Sequence, residues 1–177
     1  DTSTDAVTDT TSLTIENPLD MIVNHAGTEL FVGGGRALSF SANPETDILT
    51  CGVDRVNLPE MSVERVFEGS DLGGNITGLA MAPGDTMLWA LTAEATWPNA
   101  SVTPLSLTSG TVGAELSGPI APSDITVNNG REMVVIDRNA SAAGIFVFDA
   151  ITGKQLVDRQ SMTITPDHAV FAVTNLA

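Results

Sequence analysis

The chain predicts an all-β fold of stacked four-stranded antiparallel sheets, and three observations carry that expectation. Short apolar runs with period-2 alternation recur along its 177 residues, turn residues separate them, and no stretch of convincing length has the 3.6-residue period of a helix. One unit is complete in residues 123–160. It holds the runs 124–127 (Asp-Ile-Thr-Val), 133–136 (Met-Val-Val-Ile), 145–148 (Ile-Phe-Val-Phe) and 154–159, with polar turns at 128–131 and 149–153. Asn-Gly and Thr-Gly in those turns supply residues that tolerate positive φ. A sheet of this size cannot bury both faces alone, so it must stack on others like it. The alternation predicts Ile125, Val127, Val134, Ile136, Ile145 and Phe148 as the buried set.

In chain order, residues 1–12 are almost wholly Asp, Thr, Ser, Ala and Val and predict a polar N-terminal tail. Residues 13–177 then form one repeat domain. Leu13, Thr14 and Ile15 alternate as a short strand until Asn17-Pro18 breaks the pattern, and this strand is free to return and pair with the last repeat. The first repeat, near 18–68, has strands at 20–23, 30–32, 53–58 and 62–67, with residues 33–50 inserted between the second and third. That insertion carries its own alternating run, 37–40, read as an extra hairpin arm or rim loop. The second repeat, near 75–117, has strands at 76–81, 87–91, 102–107 and 111–116. The third is 123–160, and a half repeat follows at 161–175. The turn between first and second strands recurs at Gly27, Gly84, Gly130 and His168, a spacing of about 40–60 residues that suits propeller blades and solenoid repeats.

Composition narrows the partners. With 42% apolar residues the chain can bury a sizeable core as one domain. No apolar run approaches the roughly 20 residues of a membrane-spanning helix, and no basic-then-apolar leader is read. A formal net charge of −15, with seven basic residues, repels phosphate backbones and predicts no nucleic-acid partner. Such acidity suits saline or extracellular surroundings, and a secreted, periplasmic or cell-surface location is expected. Cys51 is the only cysteine, so no internal disulfide or cysteine zinc cluster can form, and it reads as a buried structural thiol.

Several segments share a further pattern: 83–89 (Pro-Gly-Asp-Thr-Met-Leu-Trp), 129–135 (Asn-Gly-Arg-Glu-Met-Val-Val), and 166–175 (Pro-Asp-His-Ala-Val-Phe-Ala-Val-Thr-Asn). They resemble the turn-and-strand signature of the YVTN-type β-propeller repeat, within the WD-repeat and quinoprotein-like propellers. Residues 145–154 are similar to its third strand and turn. The resemblance covers roughly residues 18–175 and implies β-propeller blades, about three and a half of them, in a partial or oligomer-completed ring. It departs from the pattern in lacking tyrosine. Closed propellers have four to eight blades, so a protein partner or a second copy is expected to complete the ring.

Candidate sites are few. Gly33, Gly34 and Gly35 lack the following helix and lysine of a phosphate cradle and read as a flexible strand-exit loop. His25 and His168 fall in equivalent turns of different blades, which separates them and argues against a shared metal. Asp71, Asn75, Asp85 and Asp124 lie near blade starts without calcium-loop spacing. No Gly-x-Ser-x-Gly elbow occurs, so no catalytic residue, cofactor or metal is assigned. Asn75, Asn99 and Asn139 begin glycosylation sequons. Trp89 is expected between blades. Trp97, followed by Pro98 in a loop, is the residue expected to contact a partner. The favoured reading is a non-catalytic propeller binding or scaffold module of a secreted or cell-surface protein. The alternatives are a propeller enzyme or enzyme subunit, like the lactonases and quinone-dependent dehydrogenase large subunits, and a structural surface-layer or filament protein.

Overall fold

A computed structural model describes residues 6–7, 9–94, 99–128, 130–141 and 143–161. Trp97, His168 and the half repeat beyond Ser161 lie outside them. Among the described residues twelve strands form three antiparallel sheets of four, each in simple sequential order. Blade 1 comprises β1 (Pro18–Val23), β2 (Glu29–Gly34), β3 (Gly52–Asn57) and β4 (Ser62–Glu68). Blade 2 comprises β5 (Gly74–Met81), β6 (Met87–Glu94), β7 (Ala100–Ser106) and β8 (Thr111–Val112). Blade 3 comprises β9 (Pro122–Val127), β10 (Glu132–Asp137), β11 (Gly144–Asp149) and β12 (Gln155–Ser161). β1 packs beside β5 and β5 beside β9, so the first strand of each blade lies at the inner edge and the sheets fan outward.

The turns explain why the meanders close. Gly27 (φ 69°), Gly84 (φ 88°) and Gly153 (φ 68°) take the left-handed conformation their hairpins need. In the turn after β9 the positive φ falls on Arg131 (78°), one residue past the glycine that sequence pattern favours. Three hairpin bonds set the blades in register: Asn24 N–H donates to Glu29 O, Ala82 N–H to Met87 O and Asn128 N–H to Glu132 O. Asn24, Ala82 and Asn128 therefore occupy one repeat position, and the residues three and four places earlier correspond as well.

Two seams hold the apolar core. Between blades 1 and 2, Phe31, Val53 and Phe67 meet Ile76, Leu79 and Leu88. Between blades 2 and 3, Trp89, Leu91 and Val102 meet Ile125, Met133 and Phe148, and the Trp89 indole N–H donates to Ala150 O at 2.8 Å. At roughly 25 cal/mol per Å² of apolar surface removed from water, these seams are the main stabilising contacts between blades.

Four sequence expectations need correction. In blade 3 Ile125 and Phe148 are buried, whereas Val127, Val134, Ile136 and Ile145 are half-buried; the buried partners are Met133, Val135 and Phe146. The insertion forms no hairpin. It is a 3-10 turn (Leu38–Phe40), a one-turn helix α1 (Pro44–Asp47) and a second 3-10 turn (Ile48–Thr50), with Pro44 at the helix start where its missing N–H costs nothing. The last strand of blade 2 shortens to Thr111–Val112. Gly33, Gly34 and Gly35 form no loose loop: the first two end β2, and a Cβ on Gly33 or Gly35 would collide with Ile76 or Cys51. Their smallness permits close approach.

Candidate protein-docking face

Each blade presents one face to the blade after it and the other to the blade before it. In β5 the residues Leu79 and Met81 turn back toward blade 1 and are buried to 5% and 3% exposure; in β9 Ile125 turns toward blade 2 at 6%. Their counterparts in β1 are Met21 and Val23, and Leu19 continues the same strand at its start. Nothing among the described residues covers these three, and they are 53%, 68% and 47% exposed. Met21 pairs with Val32 across the ladder and Val23 with Leu30, so the stripe continues an apolar surface. A depression of about 320 Å³ lies over it, lined by Pro18, Leu19, Asp20, Met21 and Val32.

The outer half of the same face is covered by the chain itself. Residues 13–16 run across it as a strap, and Ile15 is buried against Val32 and Val56 with Leu13 beside it. Leu13 to Ile15 is thus no strand, and it packs on its own blade 1 instead of returning to the last repeat. A fully buried carboxylate holds it. Asp54 accepts bonds from Thr14 N–H (2.5 Å), Thr14 Oγ1 (2.6 Å), Ile15 N–H (3.1 Å) and Arg65 Nε (2.8 Å). Burial alone would raise its pKa, but the bonds from Thr14, Arg65 and Ile15 outweigh this and hold it below the usual aspartate range. Arg65 also donates to Cys51 O and Glu68, and Arg36 ties down Glu16 at 2.8 Å.

Carboxylates also stitch the seam between blades 1 and 2. Asp20 Oδ2 accepts Leu79 N–H at 2.7 Å. Asp85 in the β5–β6 turn accepts His25 N–H (3.0 Å) and Ala26 N–H (3.3 Å) and meets His25 Nδ1 at 2.5 Å. Burial opposes ionisation of Asp85, and the His25 contacts overcome it, lowering its pKa. At the other end of the arc Asp124 occupies the Asp20 position of blade 3. Burial pushes its carboxyl up, and the Asp20 charge across the inner edge adds to this.

The remaining sequence candidates separate. His25 sits in its turn and is the one histidine among the described residues, and Trp97 and His168 lie outside them. Asp71, Asn75, Asp85 and Asp124 do not converge, and no group of three His, Cys, Asp or Glu among the described residues could hold a metal. Asn75 is buried in β5, which removes its sequon as a glycosylation site, while Asn99 is exposed. Cys51 is buried beside Gly35 and Gly69, and burial raises its pKa. Sequence reasoning missed the stripe and the Asp54 strap. The stripe was findable by aligning 20–23 with 124–127.

No protein-family model and no curated protein matches the chain. Solved structures do. The chain is similar to Kuenenia stuttgartiensis hydrazine synthase (17% identity, TM-score 0.59, covering 89% of this chain and 40% of that one). It is similar to a Xanthomonas campestris gluconolactonase (19%, TM-score 0.56, 83% and 48%). It is also similar to the β-propeller domain of the trilobed protease from Pyrococcus furiosus (9%, TM-score 0.57, 85% and 45%). The three sheets are blades of a β-propeller, a fold that enzymes and binding modules share. The chain spans less than half the length of each of these three, as a partial ring does. No helix among the described residues is long and apolar enough to cross a membrane.

Proposed function

We propose that this arc of blades, of the YVTN type by its turn motifs, is a non-catalytic binding and scaffold module of a secreted or cell-surface protein. Its open blade face takes up protein blades from outside these three. The observation that carries this reading is the exposed stripe Leu19, Met21, Val23 of blade 1: Met21 stands where Leu79 of blade 2 and Ile125 of blade 3 are buried, and Val23 where Met81 of blade 2 is buried. Apolar stripes bordered by polar groups mark protein contacts. The acidity supports an extracellular setting, and the exposed Asn99 sequon agrees with it. A photoreactive residue in place of Met21, carried by the protein in its producing cells, tests the reading. Capture of a protein at that position supports it; a chain that stays at its own mass after irradiation refutes it.

A further inference from the structure

We infer that the insertion of blade 1 is a second binding site, separate from the open face, at which Phe40 and Leu49 anchor a basic, apolar-bearing segment of a protein partner. The connection between second and third strands takes residues 95–99 in blade 2 and 138–143 in blade 3, but residues 35–51 in blade 1. The ladder stays unbroken around it. Gly34 pairs with Gly52 on either side of the excursion, and Gly35 lies against Cys51. Compact loops of about 6–16 residues whose ends meet in this way are packed by their own side chains, and long connections inside a compact domain are commonly functional.

Internal bonds hold the loop in one shape. Leu38 is buried, and its 3-10 turn rests on β6 of blade 2. Ser41 Oγ donates to Asp47 Oδ2 at 2.7 Å and accepts Asn43 N–H at 2.9 Å, and Thr50 Oγ1 donates to Asp47 O at 2.7 Å. The second 3-10 turn packs beside another one-turn helix, α2 (Gly69–Leu72), so closely that a Cβ on Gly69 would meet Ile48 O at 2.7 Å. Phe40 and Leu49 stand next to the two ends of the Ser41–Asp47 bond, 86% and 66% exposed. The other phenylalanines among the described residues, Phe31, Phe67, Phe146 and Phe148, are all buried. An aromatic and a leucine held in water on a preorganised loop lose little further freedom on binding, which is what an anchor requires. The loop leans on blade 2, whereas the stripe Leu19, Met21, Val23 faces away from blade 2, so the two surfaces are distinct.

Charge gives the partner's chemistry. Arg36 sits between Glu16 (2.8 Å) and Asp47 (3.8 Å), so one guanidinium answers two carboxylates. Glu45 is exposed and has no ion pair among the described residues. On a chain of net charge −15, this surplus repels acidic surfaces and favours Lys and Arg beside the apolar contact.

Fluorescence anisotropy with three labelled peptides of about a dozen residues tests the inference: alternating Lys and Leu, alternating Lys and Ser, and alternating Glu and Leu. The Lys–Leu peptide is expected to bind at about 10–100 µM, at least about tenfold more tightly than the other two. Phe40→Ser and Leu49→Ser, both at exposed positions and checked for unchanged unfolding, should each weaken it at least about fivefold. A Lys–Leu peptide that fails to bind at about 1 mM, or binds no better than the Lys–Ser peptide, overturns the inference. So does undiminished binding to Phe40→Ser. Met21→Ser tells the two surfaces apart: retained affinity keeps the contact on the insertion, and a loss moves it to the open face, which overturns this site and leaves the docking reading standing.

Discussion

Replacing Asp54 by Ala should release the strap, and the structure sets the size of the effect. The carboxylate is fully buried and accepts four bonds, three from the strap and one from Arg65, whose side chain is only 14% exposed. Bonds to a charged group contribute about 1.5–3 kcal/mol each, but four on one carboxylate are not additive. The governing loss is the buried partner of the Arg65 guanidinium, which keeps Cys51 O and the more exposed Glu68; removal of one partner of a buried pair costs about 3–5 kcal/mol. Loss of Ile15 packing falls within the same event, since Ile15 stays on Val32 and Val56 only while the strap is held. The expected destabilisation is about 3–5 kcal/mol in reversible urea unfolding, with amide exchange at Thr14 and Ile15 rising to that of an open chain. Asp54→Ala combined with Arg65→Met should recover part of the loss, because the guanidinium that lost its buried partner is gone. A cost below about 1 kcal/mol, or Ile15 protection that survives the substitution, would refute the latch.

Phe148→Ala should cost about 3–5 kcal/mol, as its ring is enclosed between blades 2 and 3; a loss under about 1 kcal/mol in urea unfolding would show the seam is loose. Thr92 and Ser101 bury hydroxyls without a hydrogen-bond partner among the described residues, so Thr92→Val should raise stability by about 1 kcal/mol, and a clear loss in melting experiments would count against this. Asp149 is held at about 2, chiefly by the side-chain bond from Arg131, with Thr152 and Ile151 also donating. A depressed carboxyl stabilises the fold above its ordinary pKa of 3.8 and loses that contribution as pH falls toward 2. In Arg131→Ala the Asp149 titration followed by NMR should move up toward 3.8; an unmoved midpoint would reject the pairing.

The strands were legible because their period survives in short runs, and the turns because Gly and Asn-Gly mark them. The face of each strand was harder to read. Residues 133–136 and 145–148 are apolar at every position, since the middle strands of a stacked blade are sandwiched on both sides, and continuous apolar runs carry no phase. The helix in the insertion had its own signal, Pro44 followed by Glu45 and Asp47, but the alternation of four residues before it pointed elsewhere. Asp54 was the least legible. Within 53–58 it shares a face with Val56 and Leu58, a carboxylate among apolar residues, and only the fold shows that a segment forty residues earlier supplies three of its donors. The stripe of β1 could be aligned with its counterparts, yet its exposure depends on a neighbour, which no single strand encodes.

The outward face of blade 1 differs from the two seams because one repeat position has been filled in three ways. By ladder register Asp54, Thr103 and Phe146 correspond, each opposite a residue that faces the preceding blade: Val32, Ala90 and Val135. In blade 3, Phe146 spans the widening gap to blade 2 with its own ring. In blade 2, Thr103 is small, and Phe31 and Phe67 of blade 1 supply bulk in that seam. In blade 1 the position is a carboxylate, which cannot fill an apolar gap but can recruit the backbone and hydroxyl of Thr14, and so draws Ile15 into the space a neighbouring side chain would occupy. The strap thereby completes the outer part of a blade-to-blade contact with residues of its own chain. The inner part, where neighbouring blades come closest and no strap fits, stays apolar and uncovered at Leu19, Met21 and Val23. A face finished in this way, closed where the gap is wide and open where it is narrow, is shaped to receive a first strand at its inner edge.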